Sequence, residues 1–311
     1  MRRAIDSLSA AADNESIARR TEQRRFDRGY MSVKSREFFV SATSGSWDSD
    51  QAPLSAGYNI TRSGMLVGWD RDFGPQTVAG LALSLDRSEA KIATGGQADA
   101  TQFRLHGFAA TLLADDATFV EGGVFVGHST LDVNRGGLAA GATSSPSAFH
   151  AGAWVRAGRA ALLAPRTSIT PFVQFDVSHV TQGGETETGP SDTRLKVGDV
   201  DQTDIRGRLG FSLAHAWDTA AGSWRYRLSL DVAYVDALTD TLADATAASD
   251  TSAVFTDITA SANPLDQGGL LITPALTFGP NHDNTYSISA EVRELDGGSA
   301  TSLNFTYRRR F

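Results

Sequence analysis

Residues 225–235 read RYRLSLDVAYV, and this run decides the fold. Tyr226, Leu228, Leu230, Val232 and Tyr234 alternate with Arg225, Arg227, Ser229, Asp231 and Ala233. Successive side chains of a strand point to opposite faces, so one face here is apolar and the other carries charge. The same period returns in residues 205–213, where Ile205, Leu209, Phe211 and Leu213 oppose Arg206, Arg208, Gly210 and Ser212. It returns again in Ile169, Val173, Phe175 and Val177 against Thr170, Gln174, Asp176 and Ser178, with Phe172 as an exception. A further run sets Tyr286, Ile288, Ala290 and Val292 against Ser287, Ser289, Glu291 and Arg293.

Working outward, about twelve such segments follow residue 36, centred near 40, 65, 81, 107, 124, 153, 173, 210, 230, 274, 289 and 306. Short turn signals separate some of them: 72–76, 113–117, 163–167, 218–223, 279–284 and 295–299. Longer polar gaps at 91–100, 131–147, 181–202 and 239–264 separate others. Alternating short and long connections are expected of a transmembrane barrel with tight periplasmic turns and longer external loops. The dyad Asp115-Asp116 falls in one of the short turns and is read as turning the chain.

A soluble sandwich also alternates, with its polar face in bulk water. Lipid is favoured because the apolar faces run for about five positions, matching the roughly 9–11 tilted residues that cross a bilayer. Trp69, Phe73, Phe119, Trp217, Trp224, Tyr226, Tyr234, Phe278 and Tyr286 fall near strand ends, where interfacial girdles belong. Arg206, Arg208, Arg225, Arg227, Asp176, Asp231, Glu291 and Arg293 are therefore predicted to line a wet lumen. On the lipid face such a charge would cost about 2–4 kcal/mol at the midplane.

Residues 4–28 differ in kind. They read as a polar helix without Pro or Gly, with Ile5, Leu8 and Ala12 on one thin apolar face and Arg19, Arg20, Arg24 and Arg25 towards its end. A barrel of eight strands is filled by its own side chains and one of sixteen holds a channel, so about twelve leave room for one helix.

Composition excludes other classes. The formal charge of −8 argues against nucleic acid as a partner. With no cysteine there is no thiolate metal site, thiol nucleophile or disulfide. The longest uncharged stretch, 136–155, is broken by Ser, Thr, Pro and Gly, so no spanning helix is predicted. The first sixteen residues lack the apolar run of a signal peptide, so the export signal is expected elsewhere in a longer precursor.

Residues 57–86, GYNITRSGMLVGWDRDFGPQTVAGLALSLD, resemble the opening hairpins of autotransporter β-domains through Tyr58, Arg62, Gly64, Gly68, Asp70, Gly80, Leu81 and Ala82. Further similarity lies in residues 104–113, 169–180, 207–217 and 303–311, so the resemblance spans 36–311. The chain ends in SLNFTYRRRF, with Leu303, Phe305, Tyr307 and Phe311 on one face. This is similar to the C-terminal assembly signal of bacterial outer-membrane proteins, departing from it at Arg309.

The resemblance implies an all-β fold: an antiparallel transmembrane barrel of about twelve strands with an N-terminal α-helix in its pore. It divides the chain into a pore helix and linker, 1–35, and a barrel, 36–311. It implies a translocator in the Gram-negative outer membrane that exports or displays an N-terminal passenger. The expected partners are outer-membrane lipid, the barrel-assembly machinery and the passenger; the expected state is a monomer. Arg19, Arg20, Arg24 and Arg25 would form a charged plug facing Asp176, Asp231 and Glu291.

In some autotransporters an Asn of the pore helix cyclises to release the passenger, which makes Asn14 the one weak catalytic candidate. His128-Ser129 brings outer-membrane hydrolases to mind without their His-x-Ser spacing, and His106, His150 and His179 are scattered. No metal or cofactor motif occurs, so no enzyme activity is expected. The alternatives are a porin with an Arg-rich lumen or, less favoured, an outer-membrane hydrolase.

Overall fold

The computed structural model describes residues 2–27, 36–49, 57–93, 95–135, 141–189, 195–219, 224–238, 247–249, 268–280, 283–295 and 298–311. One helix, α1 (Arg2–Asp27), precedes twelve long strands. These are β1 (Arg36–Ser49), β2 (Tyr58–Asp72), β3 (Thr77–Ile92), β4 (Gly96–Leu112), β5 (Thr118–Arg135) and β6 (Ser147–Arg159). They continue with β7 (Thr167–Gln182), β8 (Val200–Asp218), β9 (Arg225–Ala237), β10 (Gly269–Gly279), β11 (Asn284–Leu295) and β12 (Gly298–Arg310).

Each strand pairs antiparallel with its sequence neighbours, and β12 returns to β1 from Glu37↔Arg310 through Ser49↔Gly298. Closure leaves no sheet edge, the condition for strands to stand in hydrocarbon where unpaired amides find no water. A small sheet of Glu185–Thr186, Leu195–Val197 and Ala247–Ser249 lies outside the barrel wall.

The two faces are inverted relative to a water-soluble protein. Glu37, Asp70, Arg104, Glu121 and Arg156 are 1% exposed or less on the inner face. Leu81, Val124, Leu209 and Leu228 are more than half exposed on the outer face. An exposed apolar surface of this extent marks contact with something other than water. An aromatic girdle runs along β8 to β12 at the tight-turn end: Trp217 and Tyr226 stack at 5.5 Å, Phe278 and Tyr286 stack at 5.6 Å, and Tyr286 and Tyr307 meet tilted at 5.3 Å. Offset rings at 4.5–7 Å attract, and Tyr and Trp prefer the headgroup boundary.

Four sequence expectations are corrected. Residues 91–100 are not a long gap: β3 runs to Ile92 and β4 starts at Gly96. Beyond the hydrocarbon the outward positions become polar (Arg87, Glu89, Lys91, Gln97, Asp99), so alternation of hydrophobicity stops while the hydrogen-bond ladder continues. Residues 131–135 likewise belong to β5, and the short connection at 295–299 lies at the end of the barrel that carries the long loops. Phe119 is buried in the interior and takes no part in the girdle. Phe172, the break in the β7 pattern, also points inward, with the Arg156 guanidinium 3.8 Å from its ring centroid.

Inward rings need space on the adjoining strands. A Cβ added at Gly68 would lie 2.2 Å from the Phe39 ring, and one at Gly80 would lie 2.5 Å from the Phe108 ring. In the turn at 113–117, Asp115 accepts hydrogen bonds from the Thr118 hydroxyl (2.7 Å) and the Thr118 amide (2.8 Å). These bonds hold its carboxyl down at about 2.

If the outer face meets hydrocarbon, charge there is penalised by depth. Leu230→Arg, at mid-strand, is expected to weaken folding into lipid vesicles by about 2–4 kcal/mol. Thr301→Arg, outward but near the mouth, should cost about 0–1 kcal/mol. Urea titration in vesicles measures both, and equal costs would refute the face assignment.

Candidate functional site

The candidate site is the lumen, which α1 fills. Its sequence is rich in Ala, Glu, Gln and Arg, all strong helix formers. At 1.5 Å per residue, 26 residues reach about 39 Å, longer than the roughly 30 Å of hydrocarbon.

The helix has a defined direction. Ile5 packs among Trp47, Tyr58, Ile60, Ala90, Ala98 and Leu131, which sit at the long-loop end of their strands. Arg20, Thr21 and Glu22 meet Glu37, Asp70, Glu121 and Arg227 at the tight-turn end. The chain therefore runs from the long-loop mouth through the pore and enters β1 on the other side.

Ion pairs couple the helix to the wall at successive depths. Asp13 accepts from Ser84 (2.7 Å) and lies 3.1 Å from Arg62, 3.2 Å from Arg104 and 3.4 Å from His106. Glu15 pairs with Arg208 at 2.9 Å, and the Asn304 amide donates to Ser16 at 2.9 Å. One turn on, Ile17 and Ala18 press against Phe39, Leu66, Ala82, Phe108 and Trp154. Arg19 reaches Asp231 at 3.1 Å, and Arg20 bridges Glu37 and Asp70, the latter at 2.6 Å. Glu22 accepts from Arg227 (2.5 Å) and Ser212 (3.2 Å).

Gaps beside the helix are small. One bordered by Ile5, Trp47, Ile60 and Arg293 measures about 50 Å³, and one bordered by Asn14, Asp176, Arg206 and Arg208 about 20 Å³. Such spaces hold one or a few waters.

The predicted lumen residues divide. Arg206, Arg208, Asp231 and Arg293 are buried inside, and Arg227 and Glu291 face the same space, Glu291 accepting from Arg293 at 2.9 Å. Arg225 is at the mouth, more than a third exposed and 3.6 Å from Asp218, because it opens β9 beside a turn. Asp176 lies 3.6 Å from Arg208 and accepts weakly from Asn14 at 3.4 Å, and among the described residues it pairs with no arginine of the helix. Arg24 and Arg25 have side chains outside the described residues.

Sequence reading missed Glu37, Asp70, Asp86 and Glu121 as acceptors and Arg62 and Arg104 as donors. Their signal was present, a charge at every second position of an apolar strand. The helix is also not simply cationic, since Asp13, Glu15 and Glu22 pair with arginines of the wall.

His128 is exposed outside while Ser129 is buried inside, where it meets His150 at 2.7 Å. Neighbouring strand residues face opposite ways, so His128 and Ser129 form no dyad. Among the described residues no group of three or more His, Cys, Asp or Glu could hold a metal. At the seam Phe311 donates its amide to the Arg36 carbonyl at 2.9 Å, and on the other side of β12 the Tyr307 hydroxyl donates to Asn284 of β11 at 2.9 Å. Phe305 faces outward.

Residues 38–292 match the family described as Autotransporter beta-domain. The chain belongs to this family. Its fold is that of the translocator domain of the autotransporter NalP from Neisseria meningitidis, at a TM-score of 0.72 and 14% identity, covering 98% of each chain. The β-domain of the Bordetella autotransporter BrkA matches at 0.66 and 16% identity, over 89% of this chain and 99% of that one. The transport unit of AIDA-I from Escherichia coli matches at 0.61 and 10% identity, over 91% of each. No curated protein sequence matches. As an autotransporter β-domain, the chain is an outer-membrane translocator, and its kind carries an attached passenger and is not itself catalytic.

In this autotransporter β-domain Arg20 ties the helix to two buried carboxylates of the wall, Glu37 and Asp70. Arg20→Met would leave buried carboxylates short of a partner, a loss of about 3–5 kcal/mol for a broken buried pair. Faster proteolysis of residues 1–27 in folded, vesicle-bound protein checks this; unchanged protection would contradict it.

Proposed function

We propose that the chain is the closed, post-export form of the translocation pore, with residues 1–35 as the retained end of the passenger's path and residues 36–311 as the barrel. The supporting observation is the direction of α1: Ile5 lies at the long-loop end and Arg20 at the tight-turn end. In outer-membrane barrels the tight turns are periplasmic. Anything joined ahead of α1 then emerges outside the cell, while the link to β1 stays on the periplasmic side.

On this reading the ion pairs of α1 act as a stopper. They bring the exported chain to rest in one register and seal the lumen that passed it. Arg19 and Arg20, and with them Arg24 and Arg25, form the basic end of the plug. Arg206, Arg208, Arg227, Asp176, Asp231, Glu291 and Arg293 belong to the wall that receives it. Lipid surrounds the outer face, and the assembly machinery reads Phe305, Tyr307 and Phe311 on the last strand. The barrel is read as a monomer, a closed sheet having no free strand edge through which to pair with a second copy.

We assign no catalysis to the chain. Asn14 lies inside a continuous helix with its amide turned towards Asp176, so a packing role is the simpler one. If it did cut, passenger release from a chain carrying upstream sequence would stop in Asn14→Ala; unchanged release removes it.

Planar-bilayer conductance tests the plug against the porin alternative. The intact chain is expected to conduct little and the chain lacking residues 1–28 to conduct strongly. Large conductance of the intact chain would favour a channel.

A further inference from the structure

The aromatic girdle fixes the depth of the periplasmic boundary, and one sector of the barrel carries a feature just beyond it. On β12 the outward position after Tyr307 is Arg309; on β1 the one before Phe38 is Arg36; on β2 the one after Trp69 is Arg71. All three arginines are exposed, on three adjacent strands. Arg36 and Arg71 are direct cross-strand partners, and Arg309 pairs with Phe38, one outward step from Arg36. Two residues along a strand span about 6–7 Å, which moves from the girdle into the headgroup layer.

Like charges directly opposite one another destabilise a sheet. Elsewhere on this rim the arginines are paired: Arg159 is 3.7 Å from Asp115 and Arg166 is 3.6 Å from Asp218. Among the described residues no carboxylate lies within ion-pair distance of Arg36, Arg71 or Arg309. On β8 to β11 the corresponding positions are Thr219, Trp224, Pro280 and Asn284, all uncharged. The guanidiniums of Arg71 and Arg309 lie over the rings of Phe73 (5.2 Å) and Phe311 (5.3 Å). Those contacts hold the planes near the boundary while leaving the N–H edges open.

We propose that Arg36, Arg71 and Arg309 form a binding site for the phosphate headgroup of an anionic phospholipid in the periplasmic leaflet, on the outside of the seam where β12 closes on β1. Guanidinium is matched to phosphate in shape and charge. The acyl chains descend over Val40, Val67 and Phe305, on the outer face of the same strands. A lipid is favoured over a soluble acidic protein because aromatics flank the cations at the depth of the headgroup. The lipid supplies a counter-charge to the three guanidiniums and braces the strand pair that joins the first strand to the last. The site rests on the membrane placement of the barrel and not on the state of the pore.

Native mass spectrometry of the full folded chain in micelles, titrated with phosphatidylglycerol or phosphatidylcholine of equal chain length, reads the site directly. A cation near an anionic surface is worth about a fivefold preference, so three acting together give on the order of a hundredfold for phosphatidylglycerol. The variant Arg36→Gln/Arg71→Gln/Arg309→Gln should bring the ratio to within about fivefold, and Arg159→Gln/Arg166→Gln should leave it unchanged. Arg36→Lys/Arg71→Lys/Arg309→Lys, which keeps the charge, should retain most of the preference. Heat-resistant gel mobility verifies that each variant is folded; Thr301→Gln, an outward neutral site on the same seam, is the control for handling.

An unchanged ratio in the Gln triple variant overturns the site, as does an equal loss in the Arg159/Arg166 pair. Displacement of phosphatidylglycerol by equimolar inorganic phosphate would make it a soluble-phosphate site. Retention of an acidic peptide without preference between the lipids would make it a protein contact. Either result overturns the lipid assignment.

Discussion

The structure depends on pairing every backbone amide within a layer that offers no water. An open strand edge there leaves unpaired groups at several kcal/mol each, so the sheet must close on itself. The β1–β12 ladder, from Glu37↔Arg310 to Ser49↔Gly298, provides that closure. Once the cylinder is shut, the side-chain period of two sorts the sequence into an outside and an inside. Leu209 and Leu228 meet hydrocarbon, and Arg208 and Asp231 are taken out of bulk water.

Charges inside a cylinder this narrow cannot stay solvated once a helix occupies it, and each must find a partner. The wall and α1 answer one another in both directions, with Arg62, Arg104, Arg208 and Arg227 on helix acids and Glu37, Asp70 and Asp231 on helix arginines. Buried pairs contribute little net stability relative to apolar packing, but removing one partner is costly. Their effect is therefore to select one register of helix in pore. The apolar pad of Ile17 and Ala18 against Phe39, Phe108 and Trp154 adds the packing that ion pairs do not.

Much of the barrel was legible in the sequence because lipid enforces a simple rule. All twelve segments and the N-terminal helix could be placed from alternation and composition. The strand ends of β3, β4 and β5 were not legible, since beyond the hydrocarbon both faces turn polar and hydrophobicity no longer follows the ladder. Phe119 misread as girdle, and Phe172 broke the alternation, for one reason: a filled lumen, unlike an open one, accepts large rings. The partners of Arg20 were invisible for a different reason. Which wall carboxylate meets which helix position depends on the depth and rotation of α1, and neither leaves a local mark. Membership of the autotransporter family agrees with the diffuse likeness of several strands rather than with any one motif.

The most direct test is a lipid-quenching scan, for which the absence of native cysteine is convenient. Single changes Ile205→Cys, Leu209→Cys, Phe211→Cys and Leu213→Cys would carry a fluorophore, as would Arg206→Cys and Ser212→Cys, in vesicles with brominated acyl chains. The account predicts strong quenching at the odd positions and little at the even ones, a period of two along β8. Uniform quenching, or a stable folded protein in buffer without any amphiphile, would contradict it.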